Sequence, residues 1–249
     1  MRKAERTRRS AIPCAAVVVA AGSSVRMGGR VRKPYLKLCG RPLLAWTVER
    51  LARAPGLRQV VVVIRPQDAR RAARAVQLAR LPARVQVTFV HGGPRRQDSV
   101  HSGLRATSAT AEVVLIHDAA RPFPPLKAMQ DAVECAARHG GAILALPVRD
   151  TVKQQDGARR MPGIARTVPR AGLWLAQTPQ VFRRALALEL FERLAREAPR
   201  GEVTDDAAVC ERFGRRVLLV PGSATNLKIT NPEDLRIAAA LLSAGRTKG

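Results

Sequence analysis

The chain has 249 residues, 46% of them hydrophobic, and sets 44 Lys and Arg against 19 Asp and Glu for a formal net charge of +25. That length and apolar content suit one large globular domain or two small ones with a substantial core, and no apolar run approaches the roughly 20 residues a bilayer span needs. The first residues, "MRKAERTRRSAIP", are basic but lack an apolar stretch of signal-peptide length. The expectation is a cytoplasmic protein with a basic, disordered tail over 1–12 and a single domain over 13–249.

In chain order, "AAVVVA" is continuously apolar, as a strand buried on both faces would be. "RPLLAWTVERLARA" reads as a helix with Pro42 near its first turn. "RQVVVVI" is a second buried strand, "PQDARRAARAVQLAR" an amphipathic helix, and "RVQVTFV" a third strand before the turn "HGGPRR". "QDSVHSGLRAT" opens a helix for which Asp98 or Ser99 would be the cap. "EVVLIHD" is a fourth strand, "LKAMQDAVECAARHG" a helix that Gly140 can end, and "GAILALPV" a fifth strand. This rhythm predicts an α/β fold: a doubly wound, mostly parallel sheet with helices on both faces.

The rhythm breaks over 147–172, which is polar and has a turn signal at Gln155-Asp156-Gly157. "DTVKQ" and "GIARTV" flank it, predicting a protruding β-hairpin arm; a solvated surface loop is the alternative. A lone hairpin is marginally stable, so a second copy of the chain is the natural packing partner. Beyond it come two helical stretches, "LALELFERLAREA" and "DDAAVCERFG", the strand "RRVLLVPG", a short strand "NLKIT", and a final helix started by Asn231-Pro232-Glu233-Asp234.

In open α/β sheets ligands bind beyond the carboxyl ends of the strands. The residues there are Ala20-Ala21-Gly22, His91-Gly92-Gly93 and Asp118. The first loop matches neither G-x-G-x-x-G nor a Walker loop. It nevertheless offers Gly22, Ser23 and Ser24 for close backbone approach, and Arg26 and Lys33 as cations for a polyphosphate. Asp118 is placed to hold Mg²⁺, directly or through water; a helix cap or an ion pair with Arg121 is the other possibility. The histidines, at 91, 101, 117 and 139, have no nucleophile partner by motif, and G-x-S-x-G and H-E-x-x-H are missing. That favours phosphoryl or nucleotidyl transfer, in which the enzyme positions and neutralises charge and a substrate supplies the nucleophile.

Nearly all the positive charge is arginine. Nucleic-acid binding would use it, but aromatics make up only 3%, too few for base-stacking platforms. A solvated basic surface that steers small polyanions is the simpler alternative. Cys14, Cys39, Cys135 and Cys210 are scattered, which suits free thiols in a reducing compartment rather than a zinc site.

Read together, "AAGSSVRMG", "KPYL", "GGPRRQDSVHSGL", "HDAARPF", "PVRDTVK", "LWLAQTPQVF", "TDDA" and "NLKITNPEDL", in that order from about Ala15 to Leu242, closely resemble the 2-C-methyl-D-erythritol 4-phosphate cytidylyltransferases. The resemblance implies a Rossmann-like sheet of the nucleotide-diphospho-sugar transferase type and a homodimer joined through the 147–172 arm. It implies CTP and methylerythritol phosphate as substrates and Mg²⁺ as cofactor, with neither membrane nor nucleic acid as a main partner. Ala20, Ala21 and Gly22 would contact the nucleotide, Gly93 and Ser99 its base, and Asp118 the metal and ribose, with Ala119 and Arg121 shaping the site. Arg26, Lys33 and Lys228 would neutralise the reacting phosphates. Thr151 and Arg170 on the arm would hold methylerythritol phosphate in the partner's site, with Thr178 and Asp205 or Asp206 beside it. A cytidylyltransferase for another polyol phosphate, such as ribitol 5-phosphate, is the nearest alternative, and a molybdenum-cofactor guanylyltransferase a more distant one. Val19, Ser24, Pro34 and Pro94 depart from the residues common in the family.

Overall fold

The computed structural model describes residues 11–22, 31–157, 161–197 and 203–246. The tail over 1–10 and Arg26 with its neighbours lie outside the described residues. Ile12, assigned above to the tail, is described and packs against the core.

Among the described residues, eleven strands and seven α-helices follow one another: β1 (Cys14–Val19), β2 (Lys37–Leu38), β3 (Arg41–Pro42), α1 (Leu43–Ala52), β4 (Leu57–Ile64), α2 (Ala69–Gln77), β5 (Gln86–His91), α3 (Arg96–Arg105), β6 (Val113–Asp118), α4 (Leu126–His139), β7 (Gly141–Pro147), β8 (Val152–Gln155), β9 (Ile164–Val168), β10 (Trp174–Arg183), α5 (Arg184–Glu197), α6 (Asp206–Arg212), β11 (Leu218–Pro221) and α7 (Pro232–Arg246). Seven strands form the main sheet, in the order β11-β7-β10-β6-β1-β4-β5. All run parallel except β10, which is antiparallel to both β6 and β7.

The continuous apolar runs are explained by two covered faces. Along β1, Ala16 and Val18 join the core layer built with α1, α2 and α4. Val17 and Val19 point the other way, into the layer built with α3, α5 and α6. A strand buried on both sides has no polar face to alternate with.

Helix ends follow the expected chemistry with one shift. Gly140 closes α4 at a φ of 98°. Asn231 accepts from the Asp234 backbone N–H at 2.9 Å and Asp234 returns the bond to Asn231 N–H at 2.9 Å, fixing the start of α7. The expected cap at Asp98 or Ser99 is displaced: α3 begins as soon as the chain clears Pro94, with Arg95 as its cap. Asp98 sits in the first turn and accepts from the Arg95 backbone N–H at 3.1 Å.

Two strand assignments change. "NLKIT" is not a strand. The chain has left the sheet edge there, and Asn226 and Ile229 are instead buried against the turn after β6, with Ile229 N–H donating to the Ala120 carbonyl at 2.9 Å. Conversely, β10 was not expected. Its buried stretch mixes the polar Gln177, Thr178 and Gln180 with Val181 and Phe182, and Pro179 accompanies a register shift between Ala176 and Gln180, so no clean apolar period marks it.

The predicted hairpin is present: β8 and β9 pair antiparallel from Val152↔Val168. Gly163 N–H donates to Asp156 Oδ1 at 2.8 Å across its described end. Met161 (88% exposed) and Ile164 (67%) on the arm, and Trp174 and Leu175 at its base, present apolar surface to solvent.

Candidate active site

From β1 the chain winds outward through β4 and β5, then crosses back to β6 on the other side of β1. The loops after β1 and β6 therefore diverge, which opens a crevice at this switch point. A cavity of about 540 Å³ occupies it. Of the residues singled out by sequence, Ala20, Ala21, Gly22, Lys33, Gly93, Ser99, Asp118, Ala119 and Lys228 all line this cavity. They are far apart in sequence and meet only because β1, β5 and β6 end on the same side.

The others stand elsewhere. Thr178 is buried beneath the cavity. Arg121 is held from below, donating to the Asn226 carbonyl at 2.8 Å. Asp205 caps α6, accepting from Ala208 N–H at 2.9 Å and from Gln180 Nε2 at 2.8 Å. Thr151 and Arg170 belong to the hairpin and do not line the cavity; Arg170 donates to the Arg149 carbonyl. Arg26 lies outside the described residues.

Backbone groups shape the end of the cavity beside β1. Arg65 Nε donates to the Ala21 carbonyl at 2.9 Å, and Arg32 Nη2 donates to the Ala21 and Gly22 carbonyls at 2.9 and 2.6 Å. Arg32 also pairs with buried Asp68. Two guanidinium groups thus grip the carbonyl side of the loop, leaving its other side to the cavity. Opposite, a Cβ on Gly92 would meet Ala21 Cβ and Ser99 Oγ, both at 2.6 Å, so only glycine lets the two loops close this near.

Electrostatically the cavity is strongly positive: among the described residues five basic side chains, Lys33, Arg65, Arg95, Arg96 and Lys228, line it with one acid, Asp118. Lys228 Nζ lies 2.8 Å from Asp118 Oδ2, Arg121 Nε 3.7 Å from the same oxygen, and Arg96 Nη2 3.9 Å from Oδ1. Burial opposes ionisation of Asp118, but Lys228 and Arg96 outweigh it and hold its carboxyl well below the usual range. Such a site has the charge to attract a polyanion and sets one fixed negative charge among its cations.

Asp118 is positioned by a buried polar chain. Its backbone N–H donates to Thr178 Oγ1 at 3.2 Å, and Thr178 Oγ1 lies 3.0 Å from His117 Nδ1. His117 Nε2 lies 2.9 Å from the Arg121 carbonyl. A carbonyl can only accept, so Nε2 carries the proton, Nδ1 accepts, and the Thr178 hydroxyl donates to it. His117 is fully buried, and burial pushes its pKa down to about 4. Asn226 Nδ2 donates to the Thr178 carbonyl at 2.8 Å and ties in the loop that carries Lys228.

Sequence reasoning missed Arg65, Arg95, Arg96 and Thr230 as lining residues. Arg65 directly follows β4, so the strand-end rule that singled out Gly22 and Asp118 would have found it. Arg96 was visible in "GGPRRQDS" but unassigned; nothing local separates it from the other arginines.

The fold and cavity define an α/β protein with a cation-lined cavity at the switch point of a mostly parallel sheet. A family profile for 2-C-methyl-D-erythritol 4-phosphate cytidylyltransferase matches residues 14–244. The cytidylyltransferase of that name from Pelotomaculum thermopropionicum is 41% identical over 230 residues, covering 92% of this chain and 94% of its own. The Chromobacterium violaceum enzyme of that name is 44% identical over 234 residues, covering 92% and 97%. The crystal structure of the Thermus thermophilus cytidylyltransferase superposes with a TM-score of 0.73 at 35% identity, covering 92% of this chain and 98% of that one. The chain belongs to the 2-C-methyl-D-erythritol 4-phosphate cytidylyltransferase family.

Proposed function

We propose that this chain joins CTP and 2-C-methyl-D-erythritol 4-phosphate, giving 4-diphosphocytidyl-2-C-methylerythritol and pyrophosphate. Family membership over most of the chain supports the substrates. The observation that carries the chemistry is the cation-lined cavity, with the Asp118 carboxylate among its cations, at the ends of β1 and β6. A phosphate oxygen of methylerythritol phosphate attacks the α-phosphorus of CTP in line. The bond from that phosphorus to the β-phosphate bridging oxygen breaks, and pyrophosphate leaves with its electron pair. No covalent enzyme intermediate is required.

Ala20 to Gly22, Gly93 and Ser99 hold the nucleoside. Lys33, Lys228 and Arg26 neutralise the phosphates and stabilise the charge of the pentavalent stage. Among the described residues no group of three or more potential metal ligands exists, so the donor set does not fit a metal held by protein alone. It fits Mg²⁺, which takes one or two carboxylates and completes its shell with substrate phosphates and water; Asp118 would be the protein ligand. When bound, Mg²⁺ supplies positive charge to the leaving pyrophosphate.

The exposed Met161, Ile164, Trp174 and Leu175 support a homodimer in which the 147–172 arm reaches a second copy. Thr151 and Arg170 then serve the partner's sugar-phosphate pocket. Free cysteines and the need for CTP support a cytoplasmic setting, and no described helix is long and apolar enough to cross a membrane.

Pyrophosphate release tests the reading. It should require CTP, methylerythritol phosphate and a divalent cation together. Equal turnover with ribitol 5-phosphate would reassign the polyol, and none with either would overturn the proposal.

A further inference from the structure

Arg96 begins α3 and faces two ways. On one side its guanidinium forks onto buried Asp206, Nη1 to Oδ1 at 2.7 Å and Nη2 to Oδ2 at 2.8 Å. On the other it lines the cavity, with Nη2 3.9 Å from Asp118 Oδ1. Asp206 is itself fixed, because it opens α6. The next residue, Ala207, donates its backbone N–H to Gln180 Oε1 of β10 at 2.8 Å. Asp118 faces Arg96 at Oδ1, and Lys228 and Arg121 at Oδ2.

A pair kept for stability alone has a weak rationale, since apolar residues of similar volume often do as well as a buried ion pair. Arg96 also keeps 24% of its side chain exposed while Asp206 keeps 1%. The open portion belongs to the cavity. A bidentate fork fixes the guanidinium plane, which a lysine ammonium cannot do.

We infer that Arg96 is a positioning residue: clamped by Asp206, it presents a fixed positive charge to Asp118 and orients that carboxylate toward the reacting phosphates. It thereby couples the helix that carries Ser99 to the α6 side of the site. The inference rests on the proposal above that Asp118 belongs to the reacting centre.

The test uses the full chain with CTP and methylerythritol phosphate. In the double variant Arg96→Met with Asp206→Leu, both charges of the pair go together, which leaves no uncompensated buried charge behind. A positioning role predicts parental melting within a few degrees and kcat lowered about 10–100-fold, the usual cost of losing a group that orients a metal ligand or reacting group. The KM for CTP should change less than kcat. A purely structural pair predicts that the double variant keeps the parental turnover once folded, and kcat within twofold of the parent would overturn the inference. If the double variant does not fold, Arg96→Lys decides: it keeps the charge and loses the fork. At least a tenfold lower kcat at parental melting supports positioning, and parental kcat overturns it. Asp118→Asn, assayed alongside, separates the two layers. Parental turnover there overturns the site reading and this inference with it. A crippled Asp118→Asn beside normal Arg96 variants overturns the inference alone.

Discussion

Acidification should destabilise this protein through His117. The ring is fully buried, with both nitrogens committed to neutral partners, Thr178 and the Arg121 carbonyl. Protonating it puts a proton on Nδ1, which costs the bond from Thr178 and places an imidazolium in the interior. Burial holds its pKa near 4, against an ordinary value of 6.5. The unfolded chain therefore binds a proton that the folded chain refuses. Stability is fully present above pH 6.5 and falls as pH drops toward 4. At 1.36 kcal/mol per pH unit the whole window amounts to about 3 kcal/mol, and roughly 2 kcal/mol is lost by pH 5. Urea unfolding between pH 5 and 7.5 measures this. His101 also has a lowered pKa through burial, so the comparison is with His117→Gln, which should be less stable at pH 7.5 but lose less on acidification. Identical pH slopes for variant and parent would refute the assignment.

Other outcomes rest on the same geometry. Lys33→Ala should cut turnover by about 10²–10³-fold with little change in melting temperature; near-normal turnover would remove Lys33 from the reacting centre. Thr178→Val leaves the Asp118 N–H and His117 Nδ1 unpaired and should cost about 1–3 kcal/mol per group, measured by urea titration. Thr178→Ser keeps the hydroxyl and should cost far less, and equal losses would contradict the hydrogen-bond chain. Ile164→Asp on the arm should shift the protein from dimer to monomer in sedimentation and lower turnover; an unchanged dimer would show that the arm is not the interface.

The fold was legible wherever a strand is buried on both faces. β1, β4, β6 and β7 are short apolar runs bounded by turn residues, which is how a strand covered on both faces reads. β10 escaped because, ahead of Val181 and Phe182, its buried side chains include Gln177, Thr178 and Gln180, made tolerable in the core by partners from elsewhere. Gln177 donates to the Ser223 carbonyl at 2.9 Å and Gln180 to Asp205 at 2.8 Å. "NLKIT" misled in the opposite sense: its apolar residues bury against a turn, not a neighbouring strand. Much of the cavity could be found from the residues that come directly after each strand. Lys228 comes after none, and was placed only through resemblance to a family. Arg96 was illegible because its importance lies in a partner 110 residues away, which no local pattern encodes.

Direct nucleotidyl transfer is tested most simply by ³¹P NMR of the purified chain with CTP, methylerythritol phosphate and Mg²⁺. The three triphosphate resonances of CTP and the monophosphate resonance of the sugar should fall together, replaced by one coupled diphosphate pair and pyrophosphate. Unchanged CTP, or CTP consumed without a new diphosphate pair, would contradict the proposed function.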